Sequence, residues 1–178
     1  MDSASEVWHC LYMVNVCKDI EVYFIRRRNR AIGGLIAIVF DADPILAIRK
    51  VRGYLEDRPW IMRYTLRIVP VEMVTGSLEE LSRFVSNVAN ARIGESETWR
   101  ISVSKRASKV SSRKLIESLA SNISKGSVNL ETPDWIINVE AIRQTYLCAV
   151  IKPEDIIRKK DVSIRLRSMK PLNFLHET

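Results

Sequence analysis

The sequence has few of the residues that build metal centres, disulfide frameworks or nucleotide-binding loops. Its 178 residues include three cysteines, Cys10, Cys17 and Cys148, and two histidines. An odd number of cysteines without a C-x-x-C pair argues against a disulfide framework and a zinc ribbon, so we expect reduced thiols. The chain also contains no P-loop, no G-x-G-x-x-G motif and no H-E-x-x-H motif. The sequence therefore predicts no metal, no cofactor and no enzyme active site.

Long apolar runs are absent as well. The longest, residues 31–40, is half the length of the roughly 20-residue helix that crosses a bilayer. The amino-terminal residues MDSASEV carry acidic side chains where a secretory signal has basic ones. The sequence thus predicts neither a signal peptide nor a membrane partner, and favours a cytoplasmic protein. A hydrophobic fraction of 47% is sufficient for one domain or two small subdomains with a shared core.

Positive charge is present in excess, and it is unevenly placed. The net charge is +7, and most of it lies in residues 90–178. One basic cluster falls within residues 99–125 and a second within residues 158–170. Clustered cations are typical of polyanion binding, because each neutralised phosphate releases counterions. A solvated basic face is the alternative, and charge alone does not decide between them.

The amino-terminal part is predicted to form strands. Residues 7–16 and 20–28 are rich in β-branched and aromatic side chains, which predicts a strand pair joined by a tight turn. Residues 35–40 form an apolar run typical of a central strand buried on both faces. Residues 63–70 alternate between apolar and polar side chains, which predicts a strand with one core face and one exposed face. The inward side chains would be Tyr64, Leu66 and Ile68.

Helices and further strands alternate in the rest of the chain. Caps and apolar spacing predict three helices, of which the second has the pattern of a capping box between Ser77 and Glu80. The expected caps are Asp43, Ser77 and either Ser111 or Ser112. Strands are predicted at residues 99–104, 135–142 and 146–151. This mixture indicates a mixed α/β sheet.

The strongest local signal for binding is the order of strand, basic loop and helix start near residue 105. Lys105, Arg106 and Lys109 lead from the strand to the helix that begins near Ser112. The first amides of a helix have no intrahelical partner and lie at the positive end of its dipole. Phosphate binds well at such a position.

Four segments together resemble a THUMP domain: residues 63–71, 99–106, 128–134 and 137–142. The most specific element is V-x-L-x-x-P-D followed by an apolar strand that ends in V-E-x-I. Over residues 34–169 the chain is similar to the stand-alone THUMP proteins that assist tRNA cytidine acetylation.

This resemblance implies a mixed α+β fold with a THUMP-like sheet flanked by helices. The implied division is a β-rich segment at residues 1–40 that resembles part of a ferredoxin-like domain, a THUMP domain at 41–152 and a basic extension at 153–178. The first segment could add a strand pair to the sheet or mediate a homodimer.

The implied function is that of a non-catalytic adaptor. It would dock the acceptor arm and 3′ end of tRNA and present the tRNA to a separate modifying enzyme, an acetyltransferase that forms N4-acetylcytidine. Family features place the RNA contacts on the basic loop and helix start, with further candidates elsewhere. The first set is Lys105, Arg106, Lys109, Ser112 and Arg113. The second set, for which a role in solubility is the alternative, is Arg63, Arg67, Arg143 and Lys152.

Three other functions remain open at this stage. The chain could bind RNA for a different modification system, such as thiolation or methylation. It could be a small metal-dependent nuclease that uses Asp41 and Asp43, although the helix cap explains Asp43 more simply. It could also be an interaction domain whose basic face serves solubility. Trp99 and Trp135 are expected in the core, with base stacking by Trp135 as the alternative.

Overall fold

A computed structural model of the chain describes residues 20–27 and 30–162, with side chains from residue 35 onward. The predicted strand at 7–16, Cys10, Cys17 and residues 163–178 lie outside this part. Its strands are β1 (Ile20–Arg27), β2 (Arg30–Phe40), β3 (Arg67–Ile68), β4 (Met73–Thr75), β5 (Thr98–Arg106), β6 (Ser127–Val128), β7 (Trp135–Ile142), β8 (Thr145–Ile151) and β9 (Ile157–Arg158). Its helices are α1 (Pro44–Asp57), α2 (Leu78–Arg92) and α3 (Ser112–Ala120).

The central sheet has five strands in the order β4-β8-β7-β5-β6. β5 runs parallel to β7, and β8 runs antiparallel to both β7 and β4. The strands β4, β5 and β7 therefore all end on one side of the sheet, which we call its carboxyl end. The opposite side, where β5 and β7 begin and β8 ends, is the amino end. The predicted mixed sheet flanked by helices is confirmed.

One face of this sheet is covered by α2 and α3. Both helices begin as predicted, because Ser77 accepts a hydrogen bond from the amide of Glu80 and Ser111 accepts one from the amide of Lys114. Their apolar stripes bury residues at helical spacing against the middle of β7 and β8. The buried side chains include Leu81, Val85, Leu115, Leu119, Ile137 and Val139.

The other face is partly covered by α1 and by the chain that follows β8. α1 begins after Asp43, whose Oδ1 accepts bonds from the amides of Ile45 and Leu46, so that predicted cap is confirmed. Arg49 on α1 donates to both carboxylate oxygens of Asp155, at 2.7 and 3.1 Å. Asp155 is only 1% exposed. A buried carboxylate needs such a partner, so this ion pair fixes α1 against residues 153–158.

The amino-terminal hairpin differs from the prediction. β1 pairs antiparallel with β2, and β2 begins at Arg30, before the predicted strand at residues 35–40. The apolar run at 35–40 is a strand, but it is not the central strand that its composition predicted. Val39 is 53% exposed, and the described part of β2 pairs with β1 alone.

The predicted faces of residues 63–70 are wrong. Tyr64 and Leu66 are 58% and 73% exposed, whereas Thr65 between them is buried. The segment joins no strand of the central sheet, and it pairs only where β3 meets β9, with Arg67 opposite Arg158. Alternation indicates faces only in a continuous strand, and here the strand is two residues long.

Two contacts at the amino end of the sheet explain why the sequence has Asp134 and Gly126. Asp134 of the V-x-L-x-x-P-D element accepts bonds from the amide and the hydroxyl of Thr98, both at 2.8 Å, and thereby ties the start of β7 to that of β5. Gly126 has a φ of +70°, and a Cβ there would lie 2.4 Å from the carbonyl oxygen of Glu97. Only glycine fits this position.

None of the described helices has both the length and the apolar character that crossing a bilayer requires.

Candidate nucleic-acid interface

The basic loop lies at the carboxyl end of the sheet. β5 ends at Arg106, Ala107 follows in the left-handed region with a φ of 54°, and α3 begins at Ser112. The Lys105 ammonium donates to the carbonyl oxygen of Val110 at 3.1 Å, which closes the loop. Non-glycine residues with positive φ are uncommon, and they occur often at binding sites.

The start of α3 carries no acidic residue in its first turn. The Ser111 hydroxyl satisfies only the amide of Lys114, so the other first-turn amides lack an intrahelical partner. Arg113 projects beside them with its side chain 88% exposed, and its ion pair with Glu117 is an exposed surface pair of small energetic value. An anion would meet backbone donors and an exposed guanidinium at this point.

Arg143 joins this group from the neighbouring strand. It lies in the turn between β7 and β8 with a φ of 57°, and its amide donates to the carbonyl oxygen of Arg106 at 3.0 Å. Both residues are exposed. The parallel register of β5 and β7 explains the contact, because it places Arg106 opposite Ile142. The structure thus brings together six of the nine predicted binding residues: Lys105, Arg106, Lys109, Ser112, Arg113 and Arg143.

The helix α2 begins at the same end of the sheet but has a different electrostatic character. Its first turn contains Glu79 and Glu80, which compensate the helix dipole from within the chain. The predicted capping box is only half formed. Ser77 caps the amide of Glu80, but the Glu80 carboxylate bonds to the Thr75 hydroxyl, and the Ser77 amide donates to that hydroxyl oxygen instead.

Arg67 lies on the face of the sheet opposite α2 and α3. Its guanidinium donates to Asn138 at 2.9 Å and to Glu140 at 3.3 Å. Burial lowers its pKa below the ordinary value, and the positive charges of Arg158 and Arg106 contribute in the same direction. The predicted residue Arg67 therefore satisfies the buried side chain of Asn138.

Two further predicted residues lie outside the carboxyl-end group. Arg63 is exposed, and its Nε donates to the carbonyl oxygen of Trp60 at 3.4 Å. Lys152 lies at the amino end, where its ammonium is 2.8 Å from Glu97 and 4.1 Å from the centre of the Trp135 ring. The ammonium thereby occupies one face of the half-buried Trp135 ring, whose N–H donates to Glu97.

The pKa of Glu97 is lowered to about 2 by its hydrogen bond with Lys152, by the Gly94 amide and by the Trp135 N–H. A carboxylate held by three donors is a strong structural tie. Glu97, Trp135 and Lys152 therefore hold the amino end of the sheet together.

Sequence reasoning missed one surface. Leu66 lines an open depression with Arg67 and the cations of residues 158–160. Trp60 and Tyr64, in the same segment of the chain, are exposed as well. Part of this surface was visible in the sequence, because aromatic and basic residues are interleaved in residues 58–67. The predicted strand at residues 63–70, however, placed Tyr64 in the core.

The described residues contain no cluster of three or more His, Cys, Asp and Glu side chains that could hold a metal ion. Asp43 is engaged as the cap of α1. Burial raises the pKa of the Cys148 thiol to about 12, so this predicted reduced cysteine is buried and unreactive.

The family model of the THUMP domain matches residues 76–150. This part of the chain is a THUMP domain. It begins just before α2 and ends within β8, and it contains the basic loop, the start of α3 and Arg143. A comparison with curated proteins gave no significant match.

Solved structures share the fold over most of the chain. The protein PH1313 of Pyrococcus horikoshii is 18% identical, with a TM-score of 0.56 over 83% of this chain and 48% of its own. TrmN from Thermus thermophilus is 13% identical, with a TM-score of 0.52 over 84% of this chain and 43% of its own. A 4-thiouridine synthetase in complex with RNA and ATP is 13% identical, with a TM-score of 0.50 over 86% of this chain and 37% of its own. The chain thus spans less than half the length of each of these proteins.

Proposed function

We propose that the protein is a non-catalytic adaptor that binds tRNA and presents it to a separate modifying enzyme. The observation that carries this proposal is the convergence of basic side chains and helix-start amides at the carboxyl end of the THUMP domain. The 4-thiouridine synthetase that shares this fold is itself in complex with RNA, which supports an RNA ligand.

Recognition at this surface depends on phosphates. Lys105 and Arg106 at the end of β5, together with Arg113 on α3, present cations around the free amides of the helix. Such contacts position a nucleic acid and read its shape without reading its base sequence. By holding the acceptor arm and 3′ end, the protein would fix the distance from that end to the base that is modified.

We further propose that the partner enzyme is a cytidine acetyltransferase and that the complex acts in the cytoplasm. This finer assignment rests on the similarity of residues 34–169 to stand-alone THUMP proteins of tRNA acetylation. The chemistry would belong to the partner, since the described residues combine many phosphate-binding groups with little that suits catalysis. No cofactor is required for delivery.

Two measurements in the source cell test the adaptor role. The full chain is purified at low salt, and the small RNA that co-elutes is sequenced; we expect tRNA. The gene is then deleted, and nucleosides from bulk tRNA are quantified by mass spectrometry. We expect loss of N4-acetylcytidine, with restoration by the wild-type chain but not by the Lys105→Ala/Arg106→Ala/Arg113→Ala variant.

The outcome separates the alternatives. Loss of 4-thiouridine or of a methylated nucleoside, with N4-acetylcytidine intact, would overturn the acetylation assignment while keeping the adaptor role. If no tRNA co-elutes and no modified nucleoside is lost, the adaptor role itself is wrong.

A further inference from the structure

The segment of residues 126–134, which we call the β6 edge, carries exposed apolar side chains. Val128 is 60% exposed and Leu130 is 69% exposed. Exposed apolar side chains that stand singly are common on protein surfaces, but neighbouring ones often mark a site of protein interaction. Because Val128 lies opposite Trp99, this edge borders the start of β5 at the amino end of the sheet.

The loop that follows β6 holds Leu130 in a defined position. The side-chain oxygen of Asn129 accepts bonds from the amides of Glu131 and Thr132, both at 3.1 Å. Nη1 of Arg100 donates to the carbonyl oxygen of Leu130 at 2.9 Å. A surface ordered in this way loses little conformational entropy when a partner binds.

The backbone of β6 offers hydrogen-bonding groups on its outer side. The Ser127 amide donates to the carbonyl oxygen of Glu97 at 3.1 Å. The Asn129 amide donates to the carbonyl oxygen of Trp99 at 3.0 Å. Successive residues of a strand direct their backbone groups to opposite sides, so the N–H and C=O of Val128 point away from β5. Among the described strands none pairs with this side of β6, and such an edge can accept an extended segment of another chain.

The β6 edge is acidic, in contrast to the carboxyl end of the sheet. Residues 126–134 contain two acidic side chains, Glu131 and Asp134, and no basic one. Both residues are exposed, and within the described part of the chain neither forms a salt bridge. Negative charge repels phosphate and attracts cations. The edge therefore fits a protein segment with apolar and basic side chains better than it fits RNA.

An adaptor must hold RNA and enzyme at the same time, so it needs two separate surfaces. The strand β5 has nine residues, with the β6 edge beside its first residues and the basic loop after its last. At about 3.3 Å per residue, this strand separates the two surfaces by roughly 26 Å. RNA bound at the basic loop therefore does not need to cover the β6 edge.

A second copy of this chain fits the β6 edge less well than a different protein does. A two-fold symmetric contact uses the same patch on both copies. Such a contact would bring together two segments that each carry Glu131 and Asp134 and no basic side chain. Like charges that face each other across an interface are unfavourable.

Resting on the adaptor role proposed above, we infer that the β6 edge docks the modifying enzyme. The enzyme contributes an extended segment with apolar and basic side chains. Its apolar side chains cover Val128 and Leu130, its backbone pairs with the outer side of β6, and its cations lie beside Glu131 and Asp134. The RNA stays at the carboxyl end of the sheet.

Separation of modification from tRNA binding tests this inference in the gene-deletion strain described above. The full-length variant Val128→Ser/Leu130→Ser should fail to restore the nucleoside that the deletion removes. Purified, it should bind tRNA within about twofold of the wild type, since loss of two central apolar contacts costs tenfold or more only at the interface that they form. Circular dichroism and thermal melting check that the variant is folded.

Two further variants serve as controls. Val128→Ile/Leu130→Met keeps the apolar surface and should restore the nucleoside. Val39→Ser/Leu46→Ser removes two exposed apolar side chains from β2 and α1 and should also restore it.

Photo-cross-linking identifies the occupant directly. A photoreactive amino acid replaces Leu130 in the full-length chain, and the cross-linked product is identified by mass spectrometry after ribonuclease treatment. We expect the enzyme that forms the lost nucleoside, and we expect no such product when the photoreactive amino acid replaces Leu46. A cross-link to a second copy, to another segment of the same chain or to tRNA would overturn the inference.

The genetic results distinguish this inference from the proposed function. If Val128→Ser/Leu130→Ser restores the nucleoside fully, the β6 edge does not dock the enzyme and the adaptor role is untouched. If this variant loses tRNA affinity together with the nucleoside, the edge binds RNA and the inference is wrong. If the deletion removes no modified nucleoside, the proposed function fails and the inference fails with it.

Discussion

The two ends of the central sheet use the same residue types for opposite purposes. At the amino end Lys152 forms an ion pair with Glu97 and lies over Trp135, so its charge is neutralised within the protein. At the carboxyl end, within the described residues, neither Lys105 nor Arg106 is ion-paired. A carboxylate partner therefore distinguishes Lys152 from Lys105 and Arg106, and net charge alone does not reveal it.

A second contrast lies within the carboxyl end itself. α2 and α3 both begin there with a serine cap, but only α2 compensates its dipole with acidic residues. α3 instead adds basic side chains, which is unfavourable for an isolated helix start. A helix that carries this cost is suited to an external anion.

The largest expected effect is a loss of stability at the amino end. Gly126→Ala would force a left-handed backbone on alanine and place its Cβ against the Glu97 carbonyl oxygen, so we expect a loss of at least about 2 kcal/mol. Denaturant unfolding measures it. Gly53→Ala on α1 is the matched control, because no atom lies within 4 Å of the added Cβ and alanine favours the helix, so its stability should rise by up to about 1 kcal/mol.

If Gly126→Ala proves as stable as the wild type, the close contact with Glu97 does not constrain the fold. The folded fraction of this variant should still bind tRNA with wild-type affinity, because the carboxyl end is unchanged.

An intermediate effect concerns the pH dependence of the amino end. The pKa of Glu97 is about 2 in the folded chain and about 4.5 in the unfolded chain. The contribution of Glu97 to stability is therefore complete above pH 4.5 and is lost as the pH falls toward 2. Thermal melts of the wild type across this window should show the decline. Glu97→Gln should melt at a lower temperature at pH 7 and show a shallower decline.

If Glu97→Gln retains the full acid sensitivity of the wild type, Glu97 is not the group that makes the stability depend on pH. The tRNA affinity of this variant at pH 7 should be unchanged, which separates the structural cluster from the binding surface.

The smallest effect is expected from a substitution that makes the start of α3 acidic, like the start of α2. Ser112→Glu adds an acidic residue at the positive end of the dipole and should stabilise the protein by about 0.3–1 kcal/mol. It should also weaken tRNA binding, because the new carboxylate repels phosphate. The opposite change on α2, Glu79→Gln, should cost a similar amount of stability and leave tRNA affinity within about twofold. A variant with Ser112→Glu that binds tRNA normally would argue against phosphate at this helix start.

Local signals in the sequence predicted most of the helices and strands near the site. Asp43, Ser77 and Ser111 cap helices where expected, because a cap depends on residues three or four positions away. The strands β5, β7 and β8 follow from their apolar patterns, and the loop between β5 and α3 was correctly placed.

What the sequence could not predict are contacts between distant segments. Arg67 bonds to Asn138, and Lys152 bonds to Glu97, which lies on the opposite side of the sheet from the predicted basic group. The exposure of Tyr64 depends on β3 pairing with β9, which follows it by about 90 residues. Periodicity carries no information about such partners. The second set of predicted binding residues therefore includes Arg67 and Lys152, which bond to other parts of the fold, as well as Arg143, which lies beside the basic loop.

The most direct test of the central claim is the salt dependence of tRNA affinity. We compare the wild type with Lys105→Ala/Arg106→Ala/Arg113→Ala and with a charge-matched control outside the basic loop and the helix starts beside it, Lys50→Ala/Arg58→Ala/Lys125→Ala. If the carboxyl end of the THUMP domain holds the phosphates, the first variant loses affinity by roughly tenfold or more and its slope of log K against log salt falls by about 2 to 3, while the control changes little. Equal losses in both variants, or an unchanged slope in the first, would contradict this claim.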